Sequence, residues 1–95
     1  MNFYIRNGKQ INFQVGQPIQ IRDWNEMAEE FDVKDKNNMT IIYCRSHFTS
    51  DMFHLCGAKA IITSISGMSI DLKFNANVEG ETDWYFSFDM IKPIE

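Results

Sequence analysis

Apolar and polar residues alternate with a period of two in several short runs, each closed by turn residues. This pattern constrains the chain more than any other feature. The clearest run sets Met68, Ile70, Leu72 and Phe74 against Ser69, Asp71 and Lys73. Successive side chains of a strand point to opposite faces, so the run predicts a half-buried strand. Trp84, Phe86 and Phe88 alternate in the same way and predict a last strand. Near the start, Asn7-Gly8 is a hairpin turn dipeptide, and Ile11, Phe13 and Val15 alternate after it. The reading there is a hairpin of strands 2–6 and 9–14. Gly16-Gln17-Pro18 interrupts the alternation, which Ile19 and Ile21 resume. Met39 to Tyr43 is a further short β-type run. Ala60 to Ile65 is rich in β-branched residues and reads as a strand buried on much of both faces.

The remaining segments divide into helices and connections. Trp24, Met27, Ala28 and Phe31 are spaced i, i+3, i+4 and i+7, which is one face of a helix over about 23–31. Asp23 stands where an N-cap belongs, and Glu26 where its capping-box partner belongs. Thr49 is a second N-cap position. It opens a short apolar helix over about 50–56, and Gly57 is its stop. Residues 32–38 are polar and turn-rich and read as a loop, the segment best suited to mobility. Residues 75–83 read as a polar connection, and Asp89-Met90-Ile91 as a single turn before Pro93.

Ninety-five residues make one domain, 1–95, able to bury roughly 60–70% of its unfolded surface. Short strands interrupted by one firm helix and one short helix predict a mainly β (α+β) fold. The first choice is a small SH3-like, partly open antiparallel barrel. The alternative is an open α+β sheet with the helix packed on one face.

Charge and cysteine content narrow the function classes. Thirteen acidic residues against nine basic ones give a net charge of -4. The basic residues are scattered, which argues against nucleic-acid binding, where many contacts to phosphate are required. No apolar run approaches the ~20 residues of a membrane span. The start, Met1-Asn2-Phe3-Tyr4, lacks the character of a signal peptide, so a cytoplasmic location is expected. Cys44, His47, His54 and Cys56 are four residues of metal-ligand type. Their spacing argues against zinc, because positions 54 and 56 fall on opposite faces of a strand and well apart around a helix. The same four are the candidates for a nucleophile and base. Cys56 reads as packed and inert, whereas Arg45 beside Cys44 is placed to lower its pKa. The glycines are isolated and form no phosphate loop. The chain is read as having no catalytic residues and no cofactor.

Aromatic residues make up 14% of the chain, more than a core of this size obviously needs. Interfaces favour such residues. Tyr4, Tyr43, Phe53 and Tyr85 are the candidate partner contacts, with Trp24 and Trp84 read as core anchors. Glu29 and Glu30 lie off the apolar helix face as an acidic docking surface or a solvated one. Arg22, Arg45 and Lys59, with Tyr43 or Trp84 for stacking, form the alternative set, suited to a phosphorylated small molecule.

Three segments together carry a family resemblance. They are Phe13-x-Val15-Gly16-x-x-Ile19-x-Ile21-Arg22-x-Trp24-x-x-Met27-x-Glu29-Glu30-Phe31, then Phe48-Thr49-x-x-Met52-x-x-Leu55-Cys56-Gly57 running into Ala60-x-Ile62, and Trp84-x-Phe86-Ser87-x-Asp89-Met90. The combination resembles small, mostly uncharacterised SH3-like barrel proteins of Gram-positive bacteria and their phages. It covers roughly 13–91, leaves residues 1–12 outside, and departs at 75–83. It implies a barrel with a helix after the first core strand, and a phage-type origin. It carries no activity and gives no residue a catalytic role.

The leading expectation is therefore a phage-encoded, non-enzymatic binding protein that docks on a host defence or regulatory protein and modulates or inhibits it. The alternative is an oligomeric sponge for a phosphorylated small molecule or signalling nucleotide. A structural or virion-assembly part is a third class, and pairing of strand edges in a homo-oligomer is compatible with each.

Overall fold

The computed structural model describes residues 3–6, 8–67, 72–78 and 83–94, with side chains described from residue 8 onward. Ten strands are described: β1 (Phe3–Arg6), β2 (Lys9–Asn12), β3 (Pro18–Ile21), β4 (Val33–Lys36), β5 (Met39–Ile42), β6 (Phe48–Thr49), β7 (Lys59–Ser66), β8 (Lys73–Val78), β9 (Asp83–Ser87) and β10 (Ile91–Pro93). One α-helix, α1 (Trp24–Glu30), follows β3, and 3-10 helices span Ser50–Leu55 and Phe88–Met90. The strands form a β1–β2 hairpin, a five-stranded sheet of order β10-β3-β7-β8-β9, and a three-stranded sheet of order β4-β5-β6. All pairings are antiparallel. The fold is mainly β with a partly open antiparallel sheet. Among the described residues no helix is long and apolar enough to cross a membrane.

The expected first hairpin forms, with Phe3 opposite Asn12 and Arg6 opposite Lys9. Its second strand ends at Asn12 rather than 14 because the chain turns there. The Gln17 N–H donates to the Gln14 carbonyl, and Gly16, at φ +89°, donates its N–H to Ile62. Val15 is consequently 61% exposed at the turn instead of continuing a strand. The expected loop at 32–38 is largely a hairpin. Val33–Lys36 pairs with Met39–Ile42 through a two-residue turn, and Asn37 and Asn38 both adopt positive φ, at 53° and 63°. Asparagine tolerates this left-handed region better than most residues, and two such residues in succession close a tight hairpin.

Two further strands differ from expectation. β7 is buried on one face only: Ala60 and Ile62 point inward, whereas Ile61, Thr63 and Ser64 are exposed. Residues 75–78, read as a connection, continue β8, with Phe74, Ala76 and Val78 inward and Asn75 and Asn77 outward. The asparagines hid an alternation that their small neighbours complete. The expected strand over 68–74 falls partly on residues 68–71, outside the described set, and residues 79–82 are likewise outside it. The last residues are also more ordered than a single turn. After the 3-10 turn Phe88–Met90, β10 returns to pair with β3.

One core joins the sheets. Ile19, Ile21, Ile62, Phe74 and Phe86 of the large sheet pack with Ile42 and Phe48 of the small one, with Met27 of α1 and with Leu55. Phe13 meets Phe74 edge-on at 4.9 Å. Each fully buried Phe or Ile contributes about 1.5–3 kcal/mol by leaving water. α1 occupies the predicted range. Asp23 takes the N-cap backbone conformation but makes no side-chain cap bond. The expected capping box does not form, because Glu26 is held instead by Arg22 at 2.9 Å and by Lys92 at 3.3 Å. The short helix at 50–56 is a 3-10 helix over Ser50–Leu55, and Gly57 follows at φ +79°.

Candidate functional site

β6 runs directly into the 3-10 helix, and Phe48 and Phe53 both pack against Trp24 at the start of α1. The Trp24 ring is 6.1 Å from Phe48 and 5.8 Å from Phe53. Along this series burial falls stepwise: Phe48 is fully buried, Trp24 is half-buried, and Phe53 is 58% exposed. Beside the rings is a cleft of about 560 Å³ lined by Asp23, Trp24, Asn25, Glu26, Phe53, His54 and Cys56. His54 continues the aromatic surface toward the large sheet, its ring 5.8 Å from that of Trp84 on β9.

Gly57 follows the 3-10 helix and ties it to the large sheet. Its N–H donates to the Ile21 carbonyl at 2.9 Å, and its own carbonyl accepts from the Gln20 amide at 3.0 Å. A Cβ at this position would lie 3.5 Å from Asp23 Oδ1, on a backbone that L side chains rarely adopt. Asp23 also acts on Cys56. Burial raises that thiol's pKa, the Trp24 backbone amide opposes the rise, and the Asp23 carboxylate adds to it.

The structure separates the sequence candidates. Phe53 lines the cleft. Tyr43 lies at the start of the turn between β5 and β6, its ring 4.6 Å from His47 and beneath the Lys34 ammonium at 5.8 Å. Tyr85 is 50% exposed on the outward face of β9, in register with Asn75. Tyr4 lies on β1, and its side chain is outside the described residues. Glu29 is exposed on α1, whereas Glu30 binds Arg22 at 2.7 Å.

Arg22 leaves the alternative ligand set. It is 4% exposed, it is paired with Glu26 and Glu30, and Nη1 donates to the Asp89 carbonyl at 2.8 Å. A guanidinium held by three partners in the interior is a structural tie. Burial acts to lower its pKa, and the two glutamates more than reverse this, so it is raised. Arg45 is exposed above the Phe88 ring at 5.9 Å, and Lys59 is exposed at the start of β7. Trp84 is half-buried against His54.

The four Cys and His residues also go to different surroundings. Among the described residues no group of three or more His, Cys, Asp or Glu side chains is placed to hold a metal ion. Cys44 is buried, and its Sγ donates to the Ile42 carbonyl at 3.6 Å. Its thiol pKa is pushed up to about 11, first by burial and then by the Asp89 carboxylate. The expected lowering by Arg45 does not occur, because that side chain lies over Phe88. Such a thiol is a poor nucleophile at neutral pH.

Sequence reasoning singled out Phe53 but took Trp24 as a core anchor, and it missed Asp23, Asn25 and His54 as walls of one cleft. Trp24 serves both roles, with one part packed on the core and another lining the cleft. The signal available was the pair Asp23-Trp24 at a helix start, facing an apolar segment that ends in glycine. Compared with known proteins, the chain matches no family model, no curated protein and no solved structure.

Proposed function

We propose that the chain is a non-enzymatic binding protein that docks on another protein through the Trp24–Phe53 cleft. One observation carries this reading: Phe53 is 58% exposed yet packed at a tilt against Trp24, which is itself braced by buried Phe48. A ring held this way contacts a partner with little ordering cost, as interface anchors do. The high thiol pKa of Cys44 supports a non-catalytic role. The commitment of Arg22 to Glu26 and Glu30 weighs against the phosphorylated-ligand sponge.

The strand order β10-β3-β7-β8-β9, with a 3-10 turn before the last strand, supports an SH3-like architecture in which α1 and the small sheet are inserted after β3, the first strand of the large sheet. The resemblance to proteins of Gram-positive bacteria and their phages supplies the concrete form: a phage-encoded modulator or inhibitor of a host defence or regulatory protein.

Photocrosslinking tests the docking surface. The substitution Phe53→p-benzoylphenylalanine is expected to capture one defined host protein in cells, and Thr63→p-benzoylphenylalanine, on the exposed face of β7, is not. Phe53→Ala should then abolish co-purification of that protein while moving the melting temperature little. Equal capture from both positions, or undiminished co-purification with Phe53→Ala, overturns the reading.

A further inference from the structure

We propose that the Trp24–Phe53 cleft receives a cationic side chain, lysine or arginine, presented by the partner protein; this rests on the docking reading above. The first support is ring geometry. Trp24 and Phe53 lie 5.8 Å apart with their planes inclined at 56°, and the cleft is lined by both of these aromatic rings, whose faces are not parallel. A cation within about 6 Å of such faces is attracted by the ring quadrupoles, and indole is the strongest of the common rings.

The second support is the charge around the rings. The cleft is walled by the carboxylates of Asp23 and Glu26. Glu26 is already shared between Arg22 and Lys92. Asp23 is different: it is exposed and makes no side-chain cap bond, and among the described residues it forms no ion pair. An anionic ligand would meet this carboxylate directly, whereas a cation would gain a partner.

The third support is that two other rings of the chain already carry a cation. Lys34 lies over Tyr43 at 5.8 Å, and Arg45 over Phe88 at 5.9 Å. Among the described residues no cation of the chain lies over Trp24 or Phe53. The cleft thus combines two aromatic rings with the Asp23 carboxylate, which no cation of the chain pairs among the described residues, and the chain's net charge of -4 adds a general attraction for a basic segment.

The probes are two acetylated, amidated tripeptides, Leu-Arg-Leu and its citrulline counterpart, in which the guanidinium is replaced by an uncharged urea of nearly the same shape. Binding is read from the Trp24 indole N–H resonance of isotope-labelled protein, distinguished from that of Trp84 with the Trp84→Phe variant. The arginine peptide at millimolar concentration is expected to shift the Trp24 resonance saturably. The citrulline peptide should bind roughly tenfold more weakly. Asp23→Asn keeps an equally good N-cap residue. It should weaken the arginine peptide several-fold and leave the citrulline peptide unchanged. Equal binding of the two peptides, or no effect of Asp23→Asn, overturns the cationic assignment and leaves the docking reading standing. Absence of any Trp24 shift overturns the assignment as well. If Phe53→p-benzoylphenylalanine also captures no partner, the docking reading falls with it.

Discussion

At the scale of single residues, Arg22 shows how a side chain suited to ligand binding is withdrawn from solvent. In sequence it is simply the arginine before a helix cap. Its fate depends on Glu26 and Glu30 one and two turns along α1, and on the Asp89 carbonyl 67 residues later. The helical spacing was legible, but the long-range carbonyl was not, so the residue read as a possible phosphate contact. Arg22→Met should cost about 2–3 kcal/mol, since the bond to the Asp89 carbonyl is buried while the glutamates are about one-third exposed and can rehydrate. The same tie predicts an acid limb of stability. Burial acts to raise the Glu26 pKa, but the Arg22 and Lys92 contacts outweigh it, so the folded-state pKa lies below the ordinary value of 4.5. The contribution is therefore full above the unfolded pKa and is lost as pH falls through the lower folded value. Urea denaturation at a series of pH values should show a steeper loss of stability below about pH 4.5 in the native chain than in Glu26→Gln. Identical slopes would show that Glu26 is not linked to folding.

At the scale of elements, period-two alternation was legible wherever large apolar residues marked the inward face. It located β3 and β9 and, with the Asn7-Gly8 turn, the hairpin of β1 and β2; the β-type run Met39–Tyr43 located β5, and helical spacing located α1. It failed where the inward residues were small or the outward ones turn-like. Asn75 and Asn77 occupy the exposed face of β8, and Ala76 and Val78 complete its buried face. β4 is exposed at every position and holds a single apolar residue, Val33, so no alternation announced it. Its hairpin instead rests on the backbone of Asn37 and Asn38, a propensity for positive φ that composition alone registers as loop. The cleft was only half legible for a related reason: Phe53 and Trp24 come from elements whose crossing depends on tertiary packing. The turn gives a direct test. Asn38→Gly removes the residual left-handed cost at φ 63° and should stabilise the protein by about 0.5–1 kcal/mol, read as a higher denaturant midpoint at unchanged m-value. A lower midpoint would mean that the Asn38 side chain contributes more than its backbone strain removes.

At the scale of the whole molecule, the two larger sheets must be held in register for the cleft to exist, because Phe53 follows the small sheet while Gly57 is hydrogen-bonded to β3 of the large one. Two features join them. The first is the shared core, in which Ile42 and Phe48 pack in one cluster with Ile62, Phe74 and Phe86. The second is Asp89, 5% exposed, which accepts the Arg45 backbone N–H at 2.7 Å and the Ser87 hydroxyl. It thereby ties the turn between β5 and β6 to the 3-10 turn that leads into β10. Both features cross from one sheet to the other, so the sheets should unfold together as a small two-state unit. The tryptophans allow this to be measured separately on each side. In Trp84→Phe the remaining Trp24 reports α1 and the small sheet, and in Trp24→Phe the remaining Trp84 reports β9. Within each variant, its tryptophan fluorescence and the backbone signal from circular dichroism should melt with coincident transitions. Adding Asp89→Ala should lower both probes' transitions together by roughly 10–20 °C, corresponding to about 2–3 kcal/mol lost with one buried and one part-buried hydrogen bond to a carboxylate. An early transition seen by Trp24 alone would show instead that the small sheet and α1 open independently. The cleft would then be a feature of only part of the native ensemble, since Phe53 could not keep its place against Trp24 once the turn between β5 and β6 had come away from Asp89.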